Sequence, residues 1–165
     1  MKHYFPKKHR ARGPVRPIPS FHAVPVRFRA DGWTPLRQAE FIGHLAETRS
    51  VAKAARAVSM GREGAYRLRT KPGSEGFSAA WDVALARLGT AKGRAQCAAP
   101  AEYARLALRA SRKVTLEQLQ WRMETGIWQV ILRDGRYRGV RRKADNSALL
   151  ALLRRLPGPE AGLWP

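Results

Sequence analysis

Between Trp33 and Gly73 the chain is repeatedly punctuated by helix caps and breakers, and the punctuation leaves room only for short helices. Thr34-Pro35 opens the first: threonine suits an N-cap, and proline suits the first helical position, where its missing N–H costs nothing. Leu36, Phe41, Ile42 and Leu45 then recur at helical spacing to about Glu47. Ser50 can cap a second helix, in which Val51, Ala54, Ala55 and Val58 form a narrow stripe of small residues. Ser59-Met60-Gly61 breaks that pattern, and Gly61 suits a turn. A third helix is expected from about Arg62 to Thr70, with Ala65 and Leu68 inward, before Lys71-Pro72-Gly73 stops it.

Further on, Phe77 to about Arg94 reads as a fourth helix, with Phe77, Ala80, Trp81, Ala84, Leu85 and Leu88 at core spacing. Residues 101–110 and Thr115 to about Thr125 read as two more, the latter opened by Thr115 and Gln118 in a capping-box arrangement. Then the period changes. Ile127 to Leu132 is β-branched and aromatic, Asp134-Gly135 is a type I′ turn signal, and Arg136 to Arg142 alternates. This predicts a hairpin over about 127–142 with a basic face of Arg136, Arg138 and Arg142. An isolated hairpin is marginal in water. A leucine-rich helix over about 146–156, capped by Asp145 or Asn146, is expected to pack on it. The expected fold class is mainly α: an N-terminal basic arm (1–30), a trihelical unit (31–72), and a helical region with a C-terminal β-hairpin and Leu-rich helix (73–165).

The chain has 165 residues with 32 Lys+Arg against 12 Asp+Glu, a formal net charge of +20. A charge of that size on so small a body must be neutralised by something. Nucleic acid is the commonest partner, and an anionic membrane surface the next. The first thirty residues carry no acid and are broken by prolines, so they read as a flexible arm, with Val24 to Phe28 as a short extended segment lying on the domain. No apolar run is long enough to span a bilayer, which takes roughly 18 residues. The basic N-terminal stretch has no apolar core and does not read as a secretory signal, and the basic stretches are not strongly amphipathic. A cytoplasmic, nucleoid-associated location without membrane contact is expected. Cys97 is the one cysteine, which rules out an internal disulfide framework and a cysteine-based zinc site.

Catalysis is not expected. His3, His9 and His22 lie on the arm and His44 on the first helix; no metal-ligand spacing and no phosphate-binding glycine pattern occurs. Neither a cofactor nor a small-molecule ligand is implied.

Residues 34–71 resemble a homeodomain-like helix-turn-helix, as found in bacterial regulators, resolvase-type recombinases and phage terminase small subunits. The resemblance is carried by Val51-Ala-Lys-Ala-Ala55, Val58-Ser-Met-Gly61 and Arg62-Glu-Gly-Ala-Tyr66-Arg-Leu-Arg69. Phe77-Ser-Ala-Ala-Trp81 is similar to the aromatic helix that often follows in terminase-like sequences. The family places Gly early in the turn and Ser or Thr at the cap of the third helix. Here Ser59 and Gly61 stand in the reverse order. Gly64 lies inside the third helix, at a cost of about 1 kcal/mol relative to Ala, and reads as a place where a phosphate approaches the backbone.

The resemblance implies binding of double-stranded DNA with the third helix in the major groove. Arg62, Glu63, Tyr66 and Arg67 are then the base-contacting candidates, and Arg49, Lys53, Arg69 and Lys71 the phosphate contacts. A basic β-ribbon can also sit in a groove or track phosphates, which adds Arg136, Arg138, Arg141, Arg142 and Lys143. The other reading of that ribbon is an edge strand kept from aggregating by its charge. The implied role is a transcriptional regulator or prophage-type protein. One alternative is an adaptor like a terminase small subunit, whose C-terminal half builds a homo-oligomeric ring. A second is an RNA-binding protein, which suits the arm and hairpin but not the helix-turn-helix spacing.

Overall fold

The computed structural model describes residues 17–27, 29–86 and 114–155. The first sixteen residues, Cys97 and the helix expected over 101–110 lie outside the described residues. The described elements run β1 (Phe21–His22), α1 (Pro35–Thr48), α2 (Val51–Ala57), α3 (Arg62–Arg69), α4 (Glu75–Ala86), α5 (Leu116–Thr125), β2 (Ile127–Arg133), β3 (Arg136–Lys143) and α6 (Asn146–Leu153). The chain is mainly helical with a small antiparallel sheet of order β1-β2-β3.

Local chemistry explains where the helices begin and end. Thr34 Oγ1 accepts from the Arg37 N–H to open α1, and Arg49, at φ 57°, closes it. Ser50 accepts from the Lys53 N–H to open α2. Ser59 turns the chain at φ 58°. Gly61 then caps α3 with no side-chain hydrogen bond. The left-handed position that favours glycine therefore holds serine, and the cap that favours serine holds glycine. Thr115 and Gln118 form the reciprocal capping box of α5. Of the two candidates at α6, Asp145 is the cap, accepting from the Ala148 N–H at 3.0 Å.

The core is aromatic. Phe41 meets Trp33 edge-on at 5.4 Å, stacks on Phe77 at 6.1 Å and touches Trp81 at 4.9 Å between ring centroids. Phe21 closes the cluster against Phe77 at 5.9 Å. Such pairs combine large apolar burial with a preferred edge or offset geometry.

The packing bears on both expected divisions of the chain. The described part of the basic arm is not loose: Ile18, Phe21, Ala23 and Val24 are buried, and β1 pairs with β2 through Phe21↔Trp128 and His22↔Ile127. Its prolines forbid helix but permit an edge strand. A division at 72/73 does not separate the packing either, because Phe77 and Trp81 share one core with Phe41, Ala54 and Leu68.

Gln38 ties the N-terminal segment down. It is wholly buried, and its Oε1 accepts from the Val24 N–H at 2.7 Å. Its Nε2 donates to the carbonyls of Val24 and Trp33, each at 3.1 Å. One side chain thus does for Val24 what a neighbouring strand would do.

The hairpin turns at Asp134 (φ 52°) and Gly135 (φ 77°), the two positive φ values a type I′ turn requires. Trp128, Val130 and Leu132 point to the core with Val140 and Tyr137 opposite. A bulge interrupts the alternation. Ile131 pairs with Gly139 and Leu132 with Tyr137, leaving Arg138 as the extra residue. Side-chain parity therefore shifts along β3. Arg141 and Lys143 fall on the outer face with Arg136 and Arg138, while Arg142, expected there, has the register of the inner one.

The sheet docks on α1 through Tyr137. A Cβ at Gly43 would overlap the Tyr137 ring, and His44 packs beside it at 4.7 Å. Burial and the nearby Glu40 push the Tyr137 phenol up to about 12. Gly43→Ala gains about 1 kcal/mol of helix propensity, yet must push the ring off the helix. Overpacking of this kind costs about 1–3 kcal/mol. We expect a net loss of up to roughly 2 kcal/mol in denaturant unfolding, recovered in the Gly43→Ala/Tyr137→Ala pair relative to Tyr137→Ala alone.

α5 and α6 pack together around Val114, Leu119, Ala148 and Leu152. Of the leucine-rich helix only Ala148 and Leu152 are buried among the described residues, while Leu149, Leu150 and Leu153 are exposed. A side-chain pair joins this unit to the sheet: His22 Nε2 donates to Asp145 at 2.7 Å. Burial holds the His22 imidazole below its ordinary range, an effect larger than the upward pull of Asp145, and Arg122 adds to the lowering. The fold therefore prefers neutral His22, while the unfolded chain takes up its proton near pH 6.5. As pH falls through and below that value the unfolded state binds more protons, and stability drops. Melting between pH 7.5 and 5.5 should show this fall, and His22→Gln should make it shallower.

Candidate nucleic-acid interface

α3 divides cleanly into two faces. Ala65 and Leu68 are buried against the core. Arg62, Glu63, Tyr66 and Arg67 are exposed, and their spacing places them together on the opposite face. Tyr66 is anchored there by its ring against Trp81 at 5.6 Å. Arg62 and Glu63 meet at 3.2 Å, with side chains 61% and 73% exposed. A pair that open to water contributes little, so both groups remain accessible to a ligand. Glu63 also sits in the first turn, where a negative charge suits the helix dipole.

Gly64 has a structural use. A Cβ there would lie 3.0 Å from Trp33 Nε1, so the glycine makes room for the indole. The expected close approach of a phosphate at this point is corrected accordingly: the space is filled from within.

The expected phosphate contacts fall into two groups. Lys53 and Lys71 are exposed. Arg56 is exposed beside them and lines an open hollow with Ala52, Ser59, Met60 and Arg62, between α2 and the start of α3. The sequence reading missed Arg56, although it stands one helical turn after Lys53. Arg49 and Arg69 are committed to the protein itself. The Arg49 guanidinium donates to the Ala46 carbonyl at 2.8 Å and the Leu85 carbonyl at 3.1 Å, joining the end of α1 to α4. Burial lowers its pKa from the ordinary arginine value. Arg69 donates to Asp82 at 2.7 Å and lies over the Trp81 ring at 5.4 Å. Burial raises the Asp82 carboxyl, with Arg69 opposing that rise.

The hairpin splits in the same way. Arg142 donates to the carbonyls of Thr125, at 3.0 Å, and Glu124, where it caps the end of α5. Arg136, Arg138, Arg141 and Lys143 are exposed. They do not join α3. On α1, Phe41 leads to Trp81 and from there to Tyr66 of α3, whereas Gly43 faces Tyr137 of β3. Residues two apart on a helix point about 200° apart; β3 packs on α1 at the sheet edge away from β1, whereas α3 packs on α2 and α4. The outer cations lie on the far side of the sheet from α1.

Among the described residues no group of His, Cys, Asp and Glu is placed to hold a metal ion, and no helix is long and apolar enough to cross a membrane. No protein-family model, curated protein or solved structure matches this chain.

Proposed function

We propose that the protein binds double-stranded DNA, with α2, the turn Val58–Gly61 and α3 working as a helix-turn-helix. The observation that carries this reading is the division of α3. Its buried residues fix the helix on the core, and its exposed face combines two arginines, a carboxylate and an anchored tyrosine. Inserted in the major groove, Arg62 and Arg67 would bond guanine O6 and N7, and Glu63 would accept from cytosine N4. Tyr66 would present its ring edge and hydroxyl. Lys53, Arg56 and Lys71 would hold phosphates on either side and set the register. Such a module suits a transcriptional regulator or a prophage-type protein.

Selection from a random 40-bp duplex pool tests this directly. A recurring motif should emerge, and affinity for it should fall steeply with salt, by about 0.9 log unit per log unit of salt for each neutralised phosphate. No retention of duplex at low ionic strength, or stronger retention of structured RNA than of duplex, overturns the reading. Light scattering then separates a regulator, expected as monomer or dimer, from a ring-forming packaging adaptor.

A further inference from the structure

The outer face of the sheet carries Arg133, Arg136, Arg138, Arg141 and Lys143, all exposed. None of the five has an ion-pair partner among the described residues. Asp134, in the turn, is the one acid in the hairpin. Arg133 and Arg136 stand directly opposite each other in the ladder. Like charges so placed destabilise a strand pair. Keeping an edge strand soluble needs a charge or two, not a single-sign array on both strands. The arrangement is a local cost that folding does not repay, and such costs mark functional surfaces. The bulge at Arg138 sharpens the point. It changes the parity of β3 so that Arg136, Arg138, Arg141 and Lys143 all face outward, where strict alternation would have sent the last two inward.

α3 packs on α2 and α4, whereas the ribbon is formed on the outer face of β2 and β3, whose inner face packs on α1 and of which β3 is the sheet edge away from β1 and α4. The ribbon is therefore a surface separate from α3. We propose that the outer face of the sheet is a second binding site for the phosphate backbone of nucleic acid, and that one molecule bridges two duplex segments, one on α3 and one on the ribbon. The proposal rests on the reading of α3 as a DNA-binding helix. The ribbon site is blind to sequence: its side chains are long cations that neutralise phosphates. β3 from Arg136 to Lys143 rises about 3.3 Å per residue, long enough to follow several phosphates.

The test uses the full chain, one 40-bp duplex tethered to a surface and a second, fluorescent duplex in solution. The wild-type protein should bind the tethered duplex and recruit the second. The variant Arg136→Gln/Arg138→Gln/Arg141→Gln changes only exposed side chains that make no hydrogen bond or ion pair among the described residues. It should bind the tethered duplex within about threefold of wild type, yet recruit at least tenfold less of the second, with an unchanged melting temperature. Wild type that binds the tethered duplex but recruits nothing overturns bridging and leaves the DNA-binding reading standing. Loss of tethered-duplex binding in step with recruitment overturns it by showing one continuous surface, and undiminished recruitment by the variant overturns it by showing that association of copies does the bridging. Recruitment of structured RNA in place of duplex overturns the choice of partner. Failure of the wild type to bind the tethered duplex at all sinks the reading beneath it.

Discussion

Gln38→Leu is expected to destabilise the protein by about 3 kcal/mol or more, although it places an apolar residue of similar volume in an apolar core. Leucine is as good a helix former as glutamine, and Gln38 is fully buried within α1. Transfer scales alone therefore favour the change. What they omit is the backbone that Gln38 serves. Its loss strands the Val24 N–H, the Val24 carbonyl and the Trp33 carbonyl. A buried group left without a partner costs about 1–3 kcal/mol, and Val24 is itself wholly buried. Carbonyls are the cheaper to orphan, which sets the sum near the lower end. The check is urea unfolding: the midpoint should fall with the slope unchanged, because the same surface is exposed on unfolding. An unchanged midpoint would mean that water serves Val24 and that the glutamine clamp adds nothing.

Gln38 also shows where sequence reading stops. The caps at Thr34, Ser50 and Thr115, and the turn at Asp134-Gly135, were legible because a cap or turn is settled within about four residues. The starts of α1, α2 and α5 follow from them. A buried glutamine bonded fourteen residues upstream leaves no such trace. Nor does the burial of Ile18, Phe21 and Val24, which depends on distant partners: Phe77 of α4 and Trp128 of β2 for Phe21, and Gln38 of α1 for Val24. The basic residues divide by the same rule. Composition and pattern pick out Arg49, Arg69 and Arg142 as readily as Arg62 and Arg67. Only the tertiary structure turns the first three toward carbonyls and Asp82. The bulge in β3 left a single trace, Gly139 inside the strand pattern at the point where the register shifts.

That division among arginines gives the prediction with the largest effect on binding. Arg62→Ala/Arg67→Ala should lower affinity for a selected duplex by roughly 30-fold or more and erase its preference over random sequence. Each bidentate base contact is worth about 1–3 kcal/mol of discrimination, and two lost contacts give about 2–6 kcal/mol. Stability should hardly move, since both residues are exposed and Arg62 loses only an open pair with Glu63. Arg69→Ala should do the reverse. It stands two positions from Arg67, so the two point about 200° apart around α3. Its removal leaves Asp82 part-buried without its guanidinium and uncovers Trp81. We expect a lower melting temperature and binding that weakens only as far as the fold does. Lys71→Ala supplies the third pattern: a uniform loss across sequences, with the salt slope reduced by about 1. Anisotropy titrations at two salt concentrations, paired with melting curves, read all three. Equal effects of Arg67→Ala and Arg69→Ala on discrimination would show that the exposed face of α3 is not what meets the bases.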